Sequence, residues 1–448
     1  MAKTPIWDFI KQWNEKSMTR FFMPGHKGFG WKESHPLNRV FSLDITEIDG
    51  ADVLFSAQGI IRESEQEASR LFGSELTVYS AGGSTLCIQT MLTLAAKRGR
   101  KILAGRNAHM AFIRSCVLLD LEPVWLLPKT ADAYGVCGRI EPQQVKEALT
   151  KNPDVKTVYL TSPDYLGNTV SLEEIAEICQ SFGAWLLVDN AHGAYLKFTG
   201  QGKHPLEQGA TLCCDSAHKT LPTLTGAAYL HGGKGCGVTA EQVKEAMSCF
   251  GSSSPSYLIL LSLDLCNEYL EIKAAKDWAC LRTKVMETQH LLQEKGIGYL
   301  PNPVDFSKIT LDAGNIGYTG EQLADYFRQW QIEPEYVNEQ YVVYLTSPGN
   351  TDSDWERFWK GIDALSVNSS RNLSMCPYAI PPKRMSPREA FFSSQEQIGI
   401  EFSVGRISAQ TVASCPPGVP LVVPGEQITE NIKNICKNSG NVFIKVVK

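Results

Sequence analysis

Leu186-Leu187-Val188-Asp189-Asn190-Ala191-His192-Gly193 is a short apolar run that ends on a carboxylate and a turn. An unbroken run of this length suits a strand buried on both faces of a parallel sheet. Outward from it the pattern repeats. Strands are expected at 76–80, 101–104, 124–127, 157–161, 185–188, 211–214 and 227–231, with helices at 85–96, 142–149 and 172–182. The last helix has a legible start and stop: Ser171 as cap, Glu174 completing a capping box, and Gly183 as terminator. Such alternation predicts an α/β fold built on a mostly parallel sheet covered by helices. Ligands of these sheets bind beyond the carboxyl ends of the strands. The residues just after each apolar run are therefore the candidates for chemistry.

The bulk numbers narrow the class. A chain of 448 residues is too long for one ordinary core, so two or three domains are expected. With 43% hydrophobic and 20% charged residues it reads as a globular protein. A formal charge of -5 gives no reason to expect nucleic acid or an anionic membrane as partner. A small-molecule substrate fits better. The start, MAKTPIWDFIKQW, lacks a secretory pattern, and no apolar run is long enough to span a bilayer. The thirteen cysteines form no C-x-x-C, and their odd number points to reduced thiols in a cytoplasm. Beyond 235, long helices are expected at 241–247, 257–269 and 273–296, then strands at 308–311 and 341–345. A polar stretch at 368–372 and a proline-rich run at 376–382 read as a linker. The tail after it carries turns at Pro416-Pro417-Gly418 and Pro424-Gly425.

Several strand-end loops carry complementary chemistry. Ser80-Ala81-Gly82-Gly83-Ser84-Thr85 lies between a strand and a helix, where small residues, hydroxyls and a helix N-terminus suit a phosphate. An ordinary βα turn would read the same way. Asp189 ends the quoted run, and alone it would be a turn or cap residue. Thirty residues after it comes Lys219, in Cys213-Cys214-Asp215-Ser216-Ala217-His218-Lys219-Thr220, again just past a strand. Together these are the parts of a pyridoxal 5'-phosphate site. The lysine amine forms the Schiff base. An aspartate keeps the pyridine nitrogen protonated so that the ring can accept electrons. Gly105-Arg106-Asn107-Ala108-His109 adds a histidine able to lie flat on that ring, although a turn histidine is the plainer reading by itself.

With these residues in place, the chain resembles the ornithine/lysine/arginine decarboxylase family, over nearly its whole length. Phe22-Met23-Pro24-Gly25-His26-Lys27-Gly28 looks like that family's Pro-Gly-His-Lys signature, followed by Asp44-Ile45-Thr46-Glu47-Ile48-Asp49-Gly50. Ser216-Ala217-His218-Lys219 matches its lysine motif, and Ser252-Ser253-Ser254-Pro255 its Ser-Thr-Ser-Pro segment. Ser386-Pro387-Arg388-Glu389-Ala390, Gly405-Arg406-Ile407-Ser408 and Pro416-Pro417-Gly418-Val419-Pro420 resemble its C-terminal domain. The resemblance implies an aspartate-aminotransferase-like fold and pyridoxal-phosphate-dependent decarboxylation of a basic amino acid: arginine, lysine or ornithine.

By matching position, Lys219 is the Schiff-base lysine, Asp189 the pyridinium partner and His109 the ring-stacking residue. Ala191 supports the opposite face, and His192 counts among the cofactor-binding residues. Gly83, Ser84, Thr85, Ser216 and His218 bind phosphate. Ser253 reaches a neighbouring subunit's cofactor, implying a homodimer with shared active sites. The implied division is an N-terminal segment 1–55, a cofactor-binding large domain 56–298, a small α/β domain 299–367 and a C-terminal decarboxylase-type domain 368–448. The shorter family form, without a receiver-like wing domain, is expected. No metal is implied.

The chain departs from the family pattern in places. The usual Asp-Glu-Ala-His is Asp189-Asn190-Ala191-His192. Met110 follows the stacking histidine where lysine is frequent, Ala81 replaces a common asparagine, and Cys415 replaces the tyrosine before Pro-Pro-Gly. Glu335 and Glu401 are candidate acids for a cationic substrate tail, although ordinary surface carboxylates read alike. A transaminase or lyase on the same cofactor is the alternative, with Arg406 as the carboxylate clamp it would need. A non-catalytic homologue is a third reading, against which the intact Lys219, Asp189 and His109 stand.

Overall fold

The structure, a computed structural model, describes residues 2–128, 138–371, 378–414, 419–438, 440 and 442–448. Cys137, Cys376, Cys415, the Pro416-Pro417-Gly418 turn and residues 372–377 of the expected linker lie outside the described residues. The chain forms two compact units. One comprises residues 1–95 and 185–276, the other 96–184 and 277–448.

The central strands run, in chain order, β1 (Leu76–Ser80), β2 (Lys101–Gly105), β3 (Glu122–Leu126), β4 (Thr157–Thr161), β5 (Trp185–Asp189), β6 (Leu212–Asp215) and β7 (Ala228–Gly232). All seven expected strands are present, with ends shifted by two residues at most. In the first unit the order is β1-β7-β6-β5. Here β5 and β6 are parallel, while β7 runs antiparallel to both β6 and β1. In the second unit β2 lies between β4 and β3, parallel to each. Leu186, Leu187 and Val188 of β5 are all buried, as the apolar run required.

Helix Gly83–Ala96 follows β1, Met110–Leu119 follows β2, and Leu172–Ser181 precedes β5. The last corrects the sequence reading at its start, because the Ser171 side chain makes no capping bond. Ser171 sits at φ -75, ψ 76, and the Leu172 amide bonds to the Val170 carbonyl at 2.9 Å. That is an inverse γ-turn. The residues that do cap, such as Thr239 (ψ 161) and Thr351 (ψ 163), are extended and direct their hydroxyls at the third helical amide. Glu173 and Glu174 in the first turn still favour the helix dipole. The sequence reading also passed over helix Ile60–Phe72, which buries Ile61, Ala68 and Phe72 and stops at Gly73 with φ 70.

The Pro-Gly-His-Lys stretch is an ordered local structure. His26 lies 3.2 Å from Asp44 through Nε2, accepts the Gly28 amide at Nδ1 (3.0 Å), and stacks on Phe41 at 4.2 Å. In the second unit, β8 (Tyr299–Leu300), β9 (Lys308–Asp312), β10 (Tyr336–Val337) and β11 (Tyr341–Leu345) form a sheet in the order β10-β11-β9-β8. The tail pairs β12 (Gln395–Gly399) with β15 (Phe443–Val447), and β13 (Val412–Ser414) with β14 (Val419–Val422). Val343 of the small sheet and Leu421, Ile432 and Val446 of the tail share one apolar core. No helix among the described residues is long and apolar enough to cross a membrane.

Candidate active site

In the first unit the parallel pair β5–β6 brings the two principal candidates to neighbouring strand ends. Asp189 stands opposite Cys214 in register. Its buried carboxylate accepts the Ala191 amide (3.2 Å) and the Cys214 thiol (3.7 Å) through Oδ1. Burial and the nearby Asp189 charge push the Cys214 thiol well above its usual pKa, so it stays protonated and remains a donor.

Lys219 lies on the single-turn helix Ala217–Thr220 that follows β6. Its Nζ is 2.9 Å from Nε2 of the buried His192, close enough for the two groups to share a proton. Four residues of the quoted run and its continuation, Asp189 to His192, thus furnish both the acid and the partner of the lysine.

The phosphate candidates converge in the same unit. The Ser216 hydroxyl donates to the Ser84 hydroxyl at 2.8 Å, at the start of helix Gly83–Ala96. Gly83 has φ 67, and a Cβ built there meets nothing within 4 Å, so backbone conformation rather than space demands glycine. A cavity of about 220 Å³ is bordered by Gly82, Thr85, Ser252, Ser254 and Pro255. Ser253 does not border it and is exposed. His218 has an anchoring bond, with Nδ1 2.8 Å from the Ala227 carbonyl.

This set fits the cofactor implied by the sequence. Paired hydroxyls at a helix N-terminus suit a phosphate dianion. A buried carboxylate with its own donors suits a protonated ring nitrogen, and a half-buried amine suits an aldehyde carbon.

The remaining candidates lie in the second unit. His109 is exposed and caps helix Met110–Leu119, its Nδ1 accepting the Ala111 amide at 3.1 Å. Glu335 receives the Tyr165 hydroxyl at 2.6 Å and borders a cleft of about 480 Å³ with Tyr344 and Trp355. Glu401 is tied to Lys437 (2.5 Å) and Lys433 (3.9 Å), an ordinary surface arrangement. Arg406 bonds Glu396 (2.6 Å) and the Val447 carbonyl (2.9 Å), which assigns it to the architecture of the tail rather than to a substrate carboxylate.

Two buried networks escaped the sequence reading. Asp215, at the end of β6, accepts the Asn190 amide at 2.7 Å and lies 2.9 Å from His204 and 3.3 Å from His231. Burial alone would raise its pKa. The attraction and hydrogen bond of His204, with His231, instead hold the carboxyl well below the usual range. In the second unit Arg106 forms a bidentate pair with Glu426, at 2.7 and 2.8 Å, although 320 residues separate them. Nothing in the spacing of the sequence points from Arg106 to Glu426.

Residues 4–297 match the family described as Orn/Lys/Arg decarboxylase, major domain, and residues 372–438 match the C-terminal domain of that family. The chain is 28% identical to the arginine decarboxylase of Bacillus subtilis (strain 168), over 97% of this chain and 94% of that protein. It is 23% identical to the inducible lysine decarboxylase of Escherichia coli (strain K12), over 93% of this chain and 74% of that one. In three dimensions it resembles the lysine decarboxylase of Francisella novicida, with a TM-score of 0.83, 16% identity, and coverage of 100% and 81% of the two chains. The E. coli constitutive lysine decarboxylase gives a TM-score of 0.79 at 18% identity, covering 100% and 82%. These likenesses agree with the α/β, aspartate-aminotransferase-like fold expected from the sequence.

Proposed function

The chain belongs to the Orn/Lys/Arg decarboxylase family, and from that premise we propose that it uses pyridoxal 5'-phosphate to decarboxylate a basic amino acid, arginine first among the candidates. The observation that carries the reading is the convergence of Asp189, Lys219 with His192, and the Ser84–Ser216 pair at strand ends of one unit. Arginine is favoured because the relatives matched along almost their whole length include proteins named arginine decarboxylase.

When bound, the cofactor supplies an electron sink for the pair left on Cα as carbon dioxide departs. Asp189 holds the proton on the ring nitrogen, its carboxylate kept in place by the Ala191 amide and the Cys214 thiol. Ser84, Thr85, Ser216 and the Gly83 helix terminus bind the phosphate, with His218 fixed behind them. Lys219 is the covalent attachment point. His192 Nε2 accepts and returns a proton at Lys219 Nζ, so the amine is available as nucleophile and then as acid toward Cα. Ala191 is assigned to one face of the ring, on the family resemblance.

Ser253 is exposed, as a residue reaching a neighbouring subunit's cofactor would be. This supports a homodimer with shared sites. The ten described cysteines are all free thiols, in keeping with a cytoplasmic protein making amines of the polyamine class. The division at 1–55, 56–298, 299–367 and 368–448 is retained. The family matches end at 297 and resume at 372, close to two of those boundaries.

The test is to incubate holoenzyme with arginine, lysine, ornithine and neutral amino acids and to measure carbon dioxide and amine. The expected result is equimolar release of both from a basic substrate, with borohydride trapping the cofactor on Lys219. A keto acid product, or a Lys219→Ala variant trapped as readily as the wild type, would refute the reading.

A further inference from the structure

Asn190 is bonded twice to the strand beside its own. Its backbone amide donates to the Cys214 carbonyl at 2.9 Å, and its side-chain amide to Asp215 Oδ1 at 2.7 Å. These bonds join the end of β5, which carries Asp189, to the end of β6, from which the Ser216–Lys219 turn departs. We propose that Asn190 and Asp215 form a clamp that sets the distance between Asp189 and the Ser216–Lys219 turn, making both positioning residues for cofactor capture. The inference rests on the cofactor reading above.

Independent features of the structure converge on this pair. Both side chains are fully buried, where an uncompensated carboxylate would be costly. Oδ2 of Asp215 is therefore served as well, by a hydrogen bond from His204 Nε2 at 2.9 Å, with His231 Nε2 3.3 Å away but outside hydrogen-bonding geometry. Each histidine is fixed from behind. His204 Nδ1 accepts the Leu206 amide (3.4 Å), and His231 Nδ1 lies 2.8 Å from the Thr77 hydroxyl. Gly193 supplies the other constraint. Its φ of -114 is open to any residue, yet a Cβ there would stand 2.0 Å from Asn190 Oδ1. Glycine is needed at 193 to leave room for the Asn190 amide. The departure from the family's Asp-Glu-Ala-His also gains a reason: a glutamate at 190 would face the Asp215 carboxylate with a second negative charge.

The nitrogen and oxygen atoms of His204, Asp215 and His231 lie within 4.8 Å of one another, spacing that a metal ion could also use. The contacts argue for hydrogen bonds: Nδ1 of His204 is engaged by the Leu206 amide and Nε2 by Asp215, so neither ring nitrogen is left for a metal.

The test is an exchange of acid and amide. Asn190→Asp sets two carboxylates against each other, and Asp215→Asn removes the acceptor. The double variant restores one acid and one amide with the donor direction reversed, while the carbonyl of Asn at 215 still faces His204. Titration of the apo-proteins with pyridoxal phosphate, followed by the visible band, should show each single variant binding at least tenfold more weakly. The double variant should return to within about threefold of wild type. Asn190→Ala removes the clamp without a charge change and should show the same loss, which covers the case of a charge variant that does not fold.

Single variants that bind like wild type, or a double variant no better than the singles, would overturn the clamp while leaving the cofactor reading intact. A wild-type protein with no borohydride-trapped cofactor on Lys219 would overturn both. A melting temperature raised several degrees by equimolar zinc in wild type, and unmoved in Asp215→Asn, would assign the cluster to a metal and overturn the proposal.

Discussion

Replacing Glu426 with glutamine tests how much the tail contributes to the strand end that carries His109. Arg106 is fully buried, and its guanidinium spends its donors on four acceptors. These are Glu426 Oε1 (2.7 Å) and Oε2 (2.8 Å), and the carbonyls of Pro420 and Leu421 (3.1 Å each). The Trp125 ring covers one side at 4.7 Å. Glutamine keeps the shape, but its NH2 must face either a guanidinium donor or the Val423 amide, which now donates to Oε2 at 2.9 Å. The larger loss is the counter-charge, because arginine cannot neutralise itself by releasing a proton.

Breaking one side of a buried pair costs about 3–5 kcal/mol. With a urea slope of about 3 kcal/mol/M for a unit of this size, the midpoint should fall by roughly 1 M or more. Tryptophan fluorescence is a suitable probe, since Trp125 lies against the guanidinium. The Arg106→Met/Glu426→Met double variant, which removes both charges, should lie much nearer wild type. A Glu426→Gln midpoint within about 0.3 M of wild type, or a double variant as unstable as the single one, would refute the reasoning about this pair.

Asp264 and Asp52 extend the electrostatics to pH in opposite directions. Burial raises the Asp264 carboxyl to about 7, where it accepts the Trp7 amide and the Ser64 hydroxyl. A raised acid loses stability as pH climbs from its unfolded value near 4 through 7. Asp264→Asn should therefore melt higher than wild type at pH 8 and show little gain at pH 5, and a larger loss at pH 8 than at pH 5 would contradict this. Asp52 accepts amides of Val53, Gln58, Gly59, Ile61 and Arg62. Burial would raise its carboxyl, but those donors hold it below its ordinary value. Its contribution is present above the unfolded pKa and lost as pH falls. Asp52→Asn, which tolerates the φ of 69, should cost about 1–3 kcal/mol at pH 7. That cost should shrink toward pH 3, and denaturation midpoints that keep the same gap at both pH values would refute the assignment.

What could be read in the sequence follows from where the interactions lie along the chain. β5 was legible because a strand covered on both faces has to be apolar throughout, and Leu186 to Val188 show it directly. Asp189 and Lys219 stand out as candidates because a carboxylate and an amine follow neighbouring buried strands with a hydroxyl-rich loop upstream, a combination that no single one of them carries. The start of helix Leu172–Ser181 was misread for a local reason. Ser-x-x-Glu specifies residue types, whereas capping needs an extended ψ, and the γ-turn at Ser171 denies it.

The buried networks were illegible for a topological reason. His231 reaches Asp215 only because β7 runs antiparallel to β6, setting Cys213 opposite His231. Sequence spacing carries no sign of that direction, since the alternation around it predicts parallel neighbours. His204 comes from a short 3-10 segment with no periodic signal. Asn190 shows the consequence most clearly. In the sequence it is only a departure from a family motif. In the fold its amide bonds an acid that antiparallel pairing sets beside His231 and a 3-10 segment sets beside His204, so asparagine in place of glutamate avoids a buried charge conflict. A motif mismatch next to a catalytic candidate is thus accounted for by the strand it faces, and the strand direction has to be known before it can be interpreted.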